Sequence, residues 1–343
     1  MKKVSFNFKT IIASAVILIL ISLIFPLVSL IKTKNPASKS DKETTEKLIL
    51  GFSQIGNESA WRTRNTQSIF EAAEDAGIQI IFDDAQQKQS NQLKAIRSFI
   101  VYQVDVIAFV PIVEDGWDNV LQEAKDAGIP VIIVDRQINT DPSLYAGFLG
   151  ENAFKEGLNA AQFLVNKCKN INSEINIVEF YGTKNSSVAT ARANGFRNRI
   201  SEDEKFNIIH SEDGDFLRSR GKEIMDRIIL DNNGELKIGN KHIDVIYSHN
   251  DSMTLGILDS LDSFKVGKNR PIIISIDAEQ KSIDALIEGK LDCIVECNPN
   301  LGPILMTLVK NIAAGRTIPR ASYMEESVFT ANDDFSTYQP RGY

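Results

Sequence analysis

In "GFSQIGNESAWR", residues 51–62, an apolar run passes into a glycine-containing polar turn and ends on an indole beside a guanidinium, Trp61 and Arg62. An aromatic face next to a multi-headed cation can hold a polyhydroxylated ring, the indole covering C–H edges while the guanidinium donates to hydroxyl and ring oxygens. The plainer alternative is a capped core and a solvated charge. Similar groups recur along the chain: Ser53, Asp84, Asp135 with Arg136, Arg192, Phe216, Asn250, Asp277 and Glu296. Asp135, Asn250 and Asp277 can each accept vicinal hydroxyls, Arg62, Arg136 and Arg192 can donate, and Trp61 or Phe216 can wall a ring. Taken singly, Asp84, Asn250 and Asp277 are as well explained as helix caps. Hydrogen bonds to charged partners contribute about 1.5–3 kcal/mol each. Association costs on the order of 4–15 kcal/mol, so a handful of such bonds reaches about micromolar affinity.

These residues matter only if the fold gathers them. From Leu48 onward, apolar runs of strand length alternate with amphipathic runs of helix length, which is the pattern of parallel βαβ units. "LILGFS", "IQIIFDD", "VDVIAFVP" and "IPVIIVD" read as strands of a first lobe, with helices near 61–76, 89–102 and 117–127. "INIVEFYG", "FNIIHSEDG", "IDVIYSHND" and "PIIISIDA" read as strands of a second, with helices near 152–167, 187–200, 217–231 and 252–264. Ile and Val dominate these runs with little polar alternation, as expected of strands covered on both faces. The expected fold class is α/β, two Rossmann-like lobes. In such sheets ligands bind outside the carboxyl ends of the strands, and every candidate residue falls there.

Net charge is −7 over 343 residues, without a basic block, so nucleic acid is not an expected partner. Cys168, Cys293 and Cys297 form no disulfide framework or zinc spacing, and His210, His242 and His249 are scattered. No metal, cofactor or catalytic residue is expected. Residues 10–31, "TIIASAVILILISLIFPLVSLI", carry no charge and are long enough to span a bilayer of about 30 Å hydrocarbon thickness. They are expected to form an uncleaved membrane helix over 1–31, followed by a flexible tether at 32–47. Lysines flank both ends of that segment, so charge alone leaves its orientation open.

The motifs "GFSQIGNESAWR", "DAQQKQSNQLKAIRSFI", "PIVEDGWDNVLQEAKDAGIPVIIVDR", "SEDGDFLRSRGKEIM", "YSHNDSM" and "SIDA" together resemble the type I periplasmic binding proteins of sugar ABC transporters. The resemblance is to the ribose- and galactose-binding group, and within it to the galactofuranose-binding branch. It implies two lobes joined by a three-segment hinge, with crossovers near 150–152, 296–298 and 324–328. The first lobe would take 48–150 plus 297–325, and the second 151–296 plus 326–343. Carried over by position, the sugar contacts would be Ser53, Trp61, Arg62, Asp84, Asp135, Arg136, Arg192, Asn250, Asp277 and Glu296, with Phe216 as an aromatic wall. Two departures fall in one loop: Ala191 replaces an acidic residue before Arg192, and "TKNSS" replaces a glycine-containing turn, leaving anomer and ring size open.

The resemblance also places the binding part outside the cytoplasm. Its implied function is to close on a monosaccharide, a furanose or small aldose, and present it to an ABC permease. The alternative partner is a membrane histidine kinase that reads sugar occupancy. An enzyme would need Glu151 or Glu296 to pair with Asp277 at a glycosidase spacing. A sugar-responsive repressor would need a DNA-binding head where the apolar segment stands. Neither is expected.

Overall fold

The computed structural model describes residues 47–267, 270–336 and 338–343. The membrane segment expected at 10–31 and the tether expected at 32–47, save Lys47, lie outside them. Among the described residues no helix is long and apolar enough to cross a membrane.

Two six-stranded sheets, each flanked by helices, form two lobes. The first has the strand order β13-β5-β4-β3-β1-β2, built from β1 (Ile49–Gln54), β2 (Gln79–Asp84), β3 (Val106–Phe109), β4 (Val131–Val134), β5 (Gly147–Gly150) and β13 (Ala321–Tyr323). The second has the order β14-β12-β11-β10-β6-β7, from β6 (Ile175–Tyr181), β7 (Phe206–Asp213), β10 (Val245–Ser248), β11 (Ile272–Asp277), β12 (Cys293–Glu296) and β14 (Val328–Thr330). A small antiparallel hairpin, β8 (Lys237–Ile238) and β9 (Lys241–His242), stands apart. All pairings within the two sheets are parallel except β14 on β12. In each sheet the order reverses beside the first strand of the lobe, β1 or β6, and such a reversal opens a crevice at the carboxyl edge.

Strand residues alternate between two apolar layers, as a period of two demands. In the first lobe Val106, Ala108, Ile132 and Val134 join one layer while Ile107, Phe109, Val131 and Ile133 join the other. The second lobe splits likewise, with Val178 and Phe180 on one side and Ile175 and Ile177 on the other.

The helices that position the site begin and end on local signals. Helix α1 (Ala60–Ala76) starts where the Ser59 hydroxyl accepts the backbone N–H of Arg62, and stops at Gly77 in the left-handed region, φ 70°. Helices α2 (Gln89–Val101) and α3 (Asp118–Asp126) complete the first lobe with α9 (Gly302–Ala313), which returns to pack on α1. In the second lobe, α4 (Ala153–Lys167) is capped by Asn152 and α7 (Asp251–Ser263) by Asn250. Between them lie α5 (Ser187–Ile200) and α6 (Arg218–Asp231), with α8 (Gln280–Ile287) after β11. The chain passes between the sheets after Gly150, after Glu296, and between β13 and β14.

Candidate functional site

The carboxyl edges of both sheets face a shared cavity of about 320 Å³ of atom-free space, its mouth included. It is lined by Glu58, Ser59, Trp61, Arg62, Asp135 and Arg136 from the first lobe, and by Val188, Arg192, Phe216, Asn250, Asp277 and Cys297 from the second lobe and the crossover after it. Eight of the residues expected from sequence are therefore brought together: Trp61, Arg62, Asp135, Arg136, Arg192, Phe216, Asn250 and Asp277.

Three buried guanidiniums organise the wall. Arg62 donates through Nη2 to Asp135 at 2.6 Å and through Nε to Glu58 at 2.9 Å, and Glu58 lies 3.7 Å from Arg136. Burial alone would raise the Glu58 pKa, but the charges of Arg62 and Arg136 outweigh it and hold the carboxyl below its usual range. Burial, then repulsion from Arg62, pushes Arg136 down to about 10. From the other lobe, Arg192 donates to Glu156 at 2.6 Å and to the His249 carbonyl at 2.5 Å, and lies 3.6 Å from Asp277. Burial drives Asp277 well above the ordinary carboxylate range, against the pull of Arg192.

Two of these cations keep unused donors. Arg62 Nη1 and Arg136 Nε are buried and meet no protein acceptor. Buried donors are normally satisfied, and one left open forfeits about 1–3 kcal/mol. Here both sit on the wall of a cavity able to hold an acceptor-rich guest.

Aromatic rings close the sides. Phe216 lies 5.5 Å from the Arg136 guanidinium and 5.9 Å from that of Arg192, so one ring sits against a cation from each lobe. Its approach depends on Gly182, where a Cβ would stand 2.1 Å from the ring. Trp61 is 4% exposed, sits 4.7 Å from the Arg62 guanidinium, and donates its indole N–H to the Cys297 carbonyl at 2.6 Å. It also packs with second-lobe residues including Ile276 and Val295. Trp61 thus both lines the cavity and joins the lobes. Asp135, Phe216 and Asp277 adopt positive φ, 62°, 60° and 127°, without being glycine. Such backbones cost about 1–3 kcal/mol each and cluster at functional sites.

The structure does not bring three expected residues to this cavity. Ser53 is fully buried at the end of β1 with its hydroxyl unpartnered. Asp84 is exposed, its carboxylate accepts the backbone N–H of Gln86, and it lines a separate cavity with Asn57, Gln87, Thr183 and Asp215. Glu296 is taken by Arg341 at 2.8 Å and by the Ser327 backbone N–H. Asn250 does line the cavity, yet its oxygen caps α7 and its amide N–H donates to the Phe216 carbonyl at 3.2 Å. That leaves it a positioning role for the ring.

Glu58 was not among the residues expected from sequence. Its one signal was its place four residues before Arg62, an ion-pair spacing on a helix, which the turn before α1 concealed.

Over residues 50–317 the chain matches the family described as the periplasmic binding protein domain. It is 37% identical to the galactofuranose-binding protein YtfQ of Escherichia coli over 316 residues, 90% of this chain and 96% of that one. A Mycobacterium smegmatis protein solved in complex with β-D-fucofuranose is 42% identical, with a TM-score of 0.78 over 83% of this chain and 91% of that one. The binding component of the arabinose ABC transporter from Shewanella sp. ANA-3, bound to α- and β-L-arabinofuranose, is 36% identical, with a TM-score of 0.76 over 82% and 92%. These relatives are solute-binding proteins rather than enzymes, which removes the glycosidase reading, and the chain belongs to the periplasmic binding protein family.

Proposed function

We propose that the cavity between the lobes encloses one monosaccharide in furanose form, outside the cytoplasm, and that the closed complex delivers it to an ABC permease. The observation that carries this is the pair of orphaned donors, Arg62 Nη1 and Arg136 Nε, on a wall shared with Trp61 and Phe216. Ring oxygens and hydroxyls are the acceptors that such donors want, and apolar ring faces are what the aromatics want. Glu58 and Asp135 stand against Arg62 and Arg136, and Glu156 holds Arg192, so the three guanidiniums are matched by three carboxylates and leave no cationic excess to favour phosphorylated or acidic sugars. The furanose preference leans on relatives whose bound or named sugars are furanoses.

A thermal-shift screen tests the ligand class. Binding stabilises the native state by mass action, so neutral aldoses and ketoses should raise the melting temperature while sugar phosphates and uronic acids do not. The reverse pattern would sink the proposal. The transport step is tested by adding sugar-loaded protein to the permease and ATPase encoded nearest to it. Stimulated ATP hydrolysis is expected, and a response from a neighbouring histidine kinase instead would overturn that step.

A further inference from the structure

A second group of buried polar atoms lies where the three crossovers meet. Glu151 follows β5 on the first, Cys297 follows β12 on the second, and Glu326 lies between β13 and β14 on the third. Glu156, in the first turn of α4, completes the group. Ligand atoms of Glu156, Cys297 and Glu326 all fall within 4.8 Å of one another. Several of these carboxylate oxygens are buried without a partner: one on Glu156, one on Glu326 and both on Glu151, which is only 5% exposed. Arg192 is the cation on hand, and it is already engaged by the other oxygen of Glu156 and by the His249 carbonyl.

Ionised carboxylates cannot donate to one another, so adjacent orphaned oxygens on Glu156 and Glu326 are a fault only if neither carries a proton. We propose that Glu326 stands in the folded protein as the neutral acid and donates its single proton to Glu156, so that the third crossover holds the Arg192 guanidinium in the cleft through Glu156. One proton satisfies both orphaned oxygens, and the other oxygen of Glu156 keeps its hold on Arg192. The charged and titratable groups around Glu326 agree with this. Burial raises its pKa first, then the charge of Glu156 and the hydrogen bond to it, then the charge of Glu151, to about 11, with Arg192 opposing. The Cys297 thiol is pushed up as well, by burial and then by Glu156 and Glu151, so it adds no charge. Glu151 is raised by burial, then by Asp135 and Glu156. Like-charged buried carboxyls do not all ionise together.

Glu326 is thus a positioning residue for Arg192, and its consequence for affinity rests on the sugar-binding reading. The shared proton itself does not, so the two are tested separately. In D₂O near neutral pH, the infrared difference between wild type and E326Q should show a protonated-carboxyl C=O band lost in the variant. Carboxyl ¹³C shifts of the wild-type protein, which need no variant, should show a glutamate that stays protonated to pH 9. Absence of both signals overturns the proposal, as does stoichiometric binding of Zn²⁺ or Mn²⁺ that E326Q abolishes. In sugar titrations E326A should lose at least tenfold in affinity, and E326Q should restore most of it by donating its amide N–H to Glu156. Equal losses in both variants contradict the donor role. If no variant, nor the wild type, binds any sugar, the sugar-binding reading fails while the spectroscopic result still decides the proton.

Discussion

Arg136 and Arg62 illustrate how two like side chains receive different jobs from their surroundings. Arg62 is tied to Asp135 and Glu58, and these carboxylates, outweighing its burial, raise its pKa further. Arg136 shares Glu58 at longer range and donates otherwise to the Ile112 carbonyl at 3.3 Å, with its Nε left open. Arg136→Lys keeps a charge but removes the planar fork. A hydrogen bond to a charged donor contributes about 1.5–3 kcal/mol, and about 1.4 kcal/mol is tenfold. The variant should therefore bind sugar at least tenfold more weakly by titration calorimetry while melting near wild type; unchanged affinity would remove Arg136 from the site. Residue types at strand ends made most of this wall legible in the sequence. Asp84, Asn250 and Glu296 show the limit, because a short polar side chain after a strand serves a turn, a cap or a distant arginine equally well. Only the placement of Gln86, Met253 and Arg341 decides which.

Helices α4 and α5 carry Glu156 and Arg192, and two glycines let them approach closely. A Cβ on Gly157 would stand 2.0 Å from the Arg192 carbonyl oxygen, and one on Gly195 2.0 Å from that of Phe154. Backbone, not a pliable side-chain tip, is what such an atom would strike. Gly157→Ala should therefore force the helices apart, costing about 1–3 kcal/mol, and move Arg192 away from Asp277. A fall of several degrees in melting temperature together with weaker sugar binding is expected. A variant matching wild type in both would show that this contact does not set the position of Arg192. Glycine in a helix is visible in sequence, but the partner it admits is not. The main helices and strands were readable from apolar periodicity and glycine stops such as Gly77. The short strands β13 and β14 were not, since at three residues each they carry no period of their own and exist by pairing with β5 and β12.

Across the whole molecule, folding concentrates acids in dry surroundings. Burial raises Glu151, Asp277, Glu279 and Glu326, and carries Asp251 to about 8. Above their unfolded pKa values these groups keep protons in the folded state that the unfolded chain has released. Their contribution to stability is therefore complete at low pH and is lost as pH rises through the folded values. Glu58 and Glu179 are held low, so their contribution is lost only in acid, and burial depresses His249 so that it opposes only below about pH 6.5. Melting temperature should accordingly fall from pH 7 to pH 9 in scanning calorimetry, and a rise over that window would contradict the protonation scheme. The two-lobe plan was legible because βαβ alternation restarts after Gly150. The carboxyl cluster at the crossovers was not, since its members come from separate crossovers that only the folded chain unites.

Titration calorimetry on the folded body with L-arabinose, D-galactose and D-fucose, each of which supplies a furanose form in solution, tests the central claim most directly. One site per chain with a dissociation constant of about a micromolar or tighter for at least one of these sugars, weakened tenfold or more by Arg136→Lys, is the predicted result. Absence of binding heat for all three sugars at several temperatures, in a sample that melts cooperatively, would contradict the account.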